Sequence, residues 1–236
     1  MAIRRLMPIR DMRPIKKITV SKSPVRRGGR PSEAQAARLR EKILDAAADV
    51  FFTEGYGAAS IEAIAKRART AKRTLYSRFR DKSDLFAAVV HHVVENLRPP
   101  NTEKLFRGTG SDILQQLAEA ILHAALNPQA IALHRLILAE AARFPELSDV
   151  MHRAGAREEA VTRIAGLLEQ ESRLGKLKLK SEDAPFAAEQ FLQMVVGVPQ
   201  RRAMGLGKPM SPRELDDWAR ETVALFVNGC KNIGAQ

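Results

Sequence analysis

From Ser32 onward the apolar residues recur three and four positions apart, the spacing of one face of an α-helix. Leu39, Ile43, Ala47, Val50 and Phe51 form the first such stripe. Ser32 followed by Gln35 is a capping-box pair at its start, and Gly55 is a left-handed stop at its end. Ser60 is an N-cap for a second helix, with Glu62 in its first turn and Ile61, Ile64 and Ala65 inward, ending near Ala68. After three or four residues a third, short helix spans Ala71 to Phe79, with Leu75 and Phe79 inward. Asp81 and Ser83 open a fourth, whose apolar face is Leu85, Phe86, Val89, Val90, Val93 and Leu97, and Pro99-Pro100 stops it.

The helical pattern continues from residue 111. One helix runs from Ser111-Asp112 to about Leu126, and Asn127-Pro128 opens the next, to about Arg143. Pro145 starts a long one to about Leu174, and another runs from Asp183 to Met204. Gly205-Leu206-Gly207 breaks it, and the capping box Ser211-Pro212-Arg213-Glu214 opens the last, which reaches Asn228-Gly229. The pattern therefore predicts an all-α fold of about nine helices with no strand. It divides into a basic disordered arm (1–30), a three-helix domain (31–80) and a larger helical domain (81–236).

The segment SIEAIAKRARTAKRTLYSRFRDK, residues 60–82, places two short amphipathic helices around a turn, the arrangement of a helix-turn-helix. Its second helix carries Lys72, Arg73, Thr74, Tyr76, Ser77 and Arg78 between the inward positions Leu75 and Phe79. Arg and Lys donate to guanine O6 and N7 or pair with phosphates, and Thr, Ser and Tyr hydroxyls donate to phosphates. Lys82 stands at the start of the next helix, where a phosphate meets both an ammonium and a helix dipole.

In this segment the chain strongly resembles the TetR family. The specific part is the spacing Thr74-Leu75-Tyr76-x-x-Phe79-x-x-Lys82, after Gly55-Tyr56-Gly57 and Ser60-Ile61-Glu62-Ala63-Ile64-Ala65. The stretch Leu136-Ile137-Leu138-Ala139-Glu140-Ala141-Ala142-Arg143-Phe144-Pro145-Glu146-Leu147 is similar to the ligand domain of AefR-like repressors. The resemblance implies a dimeric repressor released from double-stranded operator DNA by a small-molecule effector. By position it implies phosphate contacts at Thr74, Tyr76, Lys82 and the N-cap Ser60, and base reading by Lys72, Arg73 and Arg78. One departure concerns the turn, Ala68-Arg69-Thr70-Ala71, where Arg69 replaces a Gly that would accept a positive φ cheaply.

Composition sharpens this picture. The chain has 236 residues, enough for one large or two small cores, and only 5% aromatics, which favours helices over strands. Its formal charge is +12, the balance of a protein with a polyanionic partner. Residues 1–30 hold ten Lys and Arg against one Asp, so +9 of that charge lies in the arm. The arm either tracks DNA or reflects an upstream start, since Met7 and Met12 can also initiate. A single cysteine, Cys230, excludes an intramolecular disulfide and fits a reducing cytoplasm. No apolar run approaches the length of a membrane span.

The remaining chemistry is sparse. None of the five histidines has metal-ligand spacing, and no nucleophile–base pairing or phosphate loop appears, so no metal, cofactor or catalytic residue is expected. Phe106, His123, His134, Met151, Phe191 and Met194 are candidate lining for an effector pocket. Val195, Val198, Trp218, Leu225 and Phe226, on the last two long helices, are candidates for a dimer interface built as a four-helix bundle. The rival reading is an effector-independent DNA-binding or nucleoid-associated protein.

Overall fold

The computed structural model describes residues 32–97, 110–175, 177 and 179–232. In chain order the helices are α1 (Glu33–Glu54), α2 (Ile61–Arg67), α3 (Lys72–Tyr76), α4 (Lys82–Leu97), α5 (Gly110–Ala125), α6 (Pro128–Glu140), α7 (Glu146–Ala154), α8 (Ala156–Arg173), α9 (Ala184–Ala203) and α10 (Pro212–Asn232). A 3-10 turn, Ser181–Asp183, leads into α9, and no strand occurs among the described residues. The arm and Phe106 lie outside the described residues.

The helix ends follow the caps in the sequence. The Ser32 hydroxyl accepts from the Gln35 amide while the Gln35 side chain accepts from the Ser32 amide. Ser211 and Glu214 make the same reciprocal pair at 3.3 and 2.7 Å. Asn127 Oδ1 accepts from the Gln129 amide at 2.9 Å, with Pro128 at the first helical position. The helix expected from Pro145 to Leu174 is two helices. Gly155, at φ +66°, ends α7, and α8 starts immediately after it. The apolar periodicity runs on across this bend, which is why the sequence shows one element.

Two cores hold the fold. In the first, α1–α4 pack around Phe51, Tyr56 and Phe86, whose ring centroids lie 5.2–5.8 Å apart. Leu133 and Leu136 of α6 and Leu147 and Val150 of α7 complete it, so α1–α4 share their core with helices far along the chain. In the second, α5, α8, α9 and α10 bury Leu114, Ile164, Leu168, Phe191, Val195 and Phe226. Contacts between Phe191 and Phe226 (4.9 Å) and between Trp218 and Val195 fix α9 and α10 antiparallel.

Inside α9, Pro199 has no N–H to offer the carbonyl of Val195, four residues back. Trp218 Nε1 of α10 donates to that oxygen at 3.0 Å. The bond stands in for the missing turn of the helix and ties α10 to α9 where α9 is weakest.

Candidate nucleic-acid interface

The helix-turn-helix is set by buried apolar side chains. Ile64 and Ala68 of the first helix and Leu75 of the second are almost fully buried, which fixes how α2 and α3 cross. Ser60 Oγ accepts from the Ala63 amide at 3.1 Å and caps α2. At its other end, the Arg69 amide donates to Lys66 O (3.1 Å) and the Thr70 amide to Ala65 O (3.0 Å). This is a Schellman motif with Arg69 in the left-handed position, at φ +49°. Arg69 is the one non-glycine residue with positive φ among the described residues. The turn therefore keeps the geometry a glycine would give.

α3 is shorter than the expected Ala71–Phe79 helix. Regular helix spans Lys72–Tyr76, and the Arg78 and Phe79 amides still donate to Leu75 O, carrying a turn on to Phe79. Leu75 and Phe79 point inward. Lys72, Arg73, Tyr76 and Ser77 are exposed on the opposite face, and Thr74 and Arg78 are half-buried beside them. These side chains form one outward surface. Within it, Lys72 is paired with Glu62 of α2 and lies 5.6 Å from the Tyr76 ring centroid. The hydrogen bond from Lys72 holds the Glu62 carboxyl below its usual range and raises the Lys72 ammonium in turn. Ser77 Oγ donates to Thr74 O at 2.9 Å, so that hydroxyl has an intrahelical partner.

Lys82 is placed differently from the outward set. Its ammonium donates to the carbonyls of Tyr56 (2.8 Å), Gly57 (3.2 Å) and Ala59 (3.2 Å), and lies 4.7 Å from the Tyr56 ring centroid. It holds the loop between α1 and α2. The same loop is held from the far side by Glu140 at the end of α6, whose Oε2 accepts from the Gly57 amide at 2.8 Å, and by the Phe144 ring, 5.1 Å from Tyr56. Burial pushes the Tyr56 hydroxyl above its usual range, and the charge of Glu146 adds to this. Neither Glu140 nor Glu62 was singled out for a site role from sequence. Glu140 lies in the stretch 136–147 that carries the AefR-like resemblance.

Five of the six candidate pocket residues lie among the described residues. Met151 packs against the first core, Phe191 lies inside the second and Met194 packs on the second. His123 is exposed on α5. His134 of α6 is half-buried, and burial lowers its pKa. Of the interface candidates, Val195 and Phe226 are enclosed in the second core, and Val198 and Trp218 are half-buried. Leu225 is 66% exposed, as is Phe186 of α9 at 68%, a residue not among the candidates. Among the described residues no group of His, Cys, Asp and Glu is placed to hold a metal ion.

Comparison with known proteins gives the same N-terminal reading and extends it. Residues 43–89 match the model of bacterial regulatory proteins of the tetR family, and residues 112–229 match the C-terminal domain of AefR-like transcriptional repressors. The chain belongs to the TetR family. Over 176 residues it is 28% identical to the HTH-type transcriptional repressor BepR of Brucella suis biovar 1, covering 71% of this chain and 81% of BepR. It is 43% identical to the HTH-type transcriptional activator FasR of Mycolicibacterium smegmatis over 58 residues, 25% of this chain and about a quarter (26%) of FasR. Among solved structures it is similar to the flavonoid-responsive regulator FrrA, with a TM-score of 0.64 at 28% identity, covering 82% of this chain and 97% of FrrA. The first of these matched spans takes in α2 and α3 of this TetR-family regulator. No helix among its described residues is long and apolar enough to cross a membrane.

Proposed function

We propose that this TetR-family regulator is a cytoplasmic, non-enzymatic repressor. It binds a pseudo-palindromic operator as a homodimer and leaves it when a small molecule binds the C-terminal helices. The observation that carries the reading is the outward surface of α3: Lys72, Arg73, Tyr76 and Ser77 exposed over a helix locked from behind by Leu75 and Phe79. A helix seated this way enters a major groove with its donors facing base edges. Lys72 and Arg73 act on bases, with Arg78 at the margin, and Thr74, Tyr76 and Ser60 act on phosphates.

Repression rather than activation is supported by the match of residues 112–229 to a repressor domain and by the likeness to BepR over most of both chains. FasR, an activator, is matched only over a short span. Release by an effector is supported by the likeness to FrrA, described as flavonoid-responsive. Release requires that the effector bind one conformation better than the other, since equal affinity shifts nothing.

The test is deletion of the gene with transcript profiling, joined to footprinting of the full chain. One short protected site beside a gene whose transcript rises on deletion is the expected result. A fall in that transcript makes the protein an activator. Protection without sequence preference makes it an effector-independent, nucleoid-type binder.

A further inference from the structure

We propose that Glu140 is a positioning residue for DNA binding, clasping the Gly55-Tyr56-Gly57 loop to α6 and so setting the pose of α2 and α3 relative to the C-terminal helices; this rests on the DNA-binding reading above. The contact joins residues 83 positions apart. It lies where α6 ends, and the turn that follows is stiff: the Arg143 and Phe144 amides both donate to Glu140 O, at 2.9 and 2.8 Å. Phe144 then sits on Tyr56, and Lys82 grips the carbonyls of the same loop from the other side.

The two glycines make room for this. A Cβ on Gly55, whose φ is +83°, would collide with Glu140 Oε1. A Cβ on Gly57 would lie 3.2 Å from the Phe144 ring and 3.3 Å from Glu140 Oε2. Ser60, the N-cap of α2, follows three residues later, so the loop's position fixes where α2 starts.

α6 is also tied to the second core. Arg135 donates to Ala203 O (2.7 Å) and Met204 O (3.2 Å), the carbonyl end of α9. One helix therefore bonds the end of α9 through Arg135 and the DNA-side loop through Glu140. A shift of α9 reaches the loop through α6 as a rigid element. In a dimer, the pose of α3 relative to the C-terminal helices determines the distance between the two recognition helices, and hence the half-site spacing the protein accepts.

The experiment uses the full-length chain and the short duplex that wild type selects from randomised DNA. Affinity is measured for that duplex and for the same duplex with one base pair inserted between half-sites. Amide exchange at Gly57 is followed in parallel. Glu140→Ala is expected to speed exchange at Gly57, weaken operator binding about fivefold or more, and shrink the penalty for the inserted base pair. Glu140→Gln, which keeps an acceptor, restores all three toward wild type. Should Glu140→Ala fail to fold, Gly57→Ala enters the clasp from the other side with the same expected effects on binding and spacing.

Wild-type affinity and spacing penalty in Glu140→Ala, with Gly57 exchange accelerated, overturn the proposal. So does unchanged exchange at Gly57. A wild type that selects no DNA overturns the DNA-binding reading itself, and does so before any variant is made.

Discussion

Arg69 shows what one residue's backbone reveals before any fold is known. Its place in the turn asks for a left-handed conformation, and the structure holds it at φ +49° with both Schellman bonds made. Such a conformation costs a side-chain-bearing residue roughly 1–2 kcal/mol, while glycine gives part of that back through its freer unfolded chain. Arg69→Gly should stabilise the protein by about 0.5–1 kcal/mol, a rise of about 1–4 °C in Tm for a chain of this size. An unchanged or lower Tm in thermal unfolding contradicts the strain argument. The demand on Arg69 was legible because it is local to the chain. The roles of Lys82, Glu62 and Glu140 were not. Lys82 reaches carbonyls 23 to 26 positions away, and Glu62 meets Lys72 only because the turn folds α3 back toward α2.

Among the elements, those with caps were read best. Ser32–Gln35, Asn127-Pro128 and Ser211–Glu214 start α1, α6 and α10 through bonds spanning two or three residues, so the sequence contains the whole cause. The α7–α8 break escaped because a glycine within an apolar repeat is consistent with a continuous helix as well as with a bend. That Met151 packs on the first core while Phe191 and Met194 belong to the second was hidden for a related reason. Periodicity gives the inner face of a helix but not which of two cores it faces. Trp218 is the sharpest instance, since its N–H answers a defect in another helix. Trp218→Phe leaves the Val195 carbonyl without that donor and should cost about 1–3 kcal/mol. Pro199→Ala gives α9 its own N–H back. Trp218→Phe should therefore cost clearly less in the Pro199→Ala background, a coupling read by denaturant unfolding of the four proteins. Additive costs contradict the account. On α3, Lys72→Ala and Arg78→Ala should alter preference at particular operator positions, by about 1–3 kcal/mol for a bidentate base contact. Tyr76→Ala should weaken all sequences alike, which binding to a panel of single-base operator variants distinguishes. Two unchanged profiles for Lys72→Ala and Arg78→Ala remove α3 from the reading role.

For the whole molecule, the exposed apolar residues of the last two helices give the proposed homodimer a specific face. α9 and α10 run antiparallel, so Phe186 at the start of α9 and Leu225 near the end of α10 come to the same end of the pair. Both are about two-thirds exposed, at 68% and 66%, although the second core beneath them is already filled by Phe191, Val195 and Phe226. Single exposed apolar residues are ordinary on a monomer, but two large ones at one end of a helix pair suit a second copy of that pair. Around them the outer face of α9 carries the exposed Gln190 and Gln193 and the half-buried Gly197, uncharged and in part small. Gly197 meets only the Gln193 side chain, so another helix can approach there closely. A two-fold arrangement would place each patch on its copy, and a charge introduced there appears twice in the interface. Leu225→Glu and Phe186→Glu should each convert a dimer to a monomer in sedimentation velocity while helix content by circular dichroism stays the same, because neither side chain supports the core. Operator binding should fall with dimerisation, since one recognition helix then engages one half-site. A dimer that survives both substitutions puts the interface on another face, and a wild type that sediments as a monomer removes the two-fold operator from the proposed function.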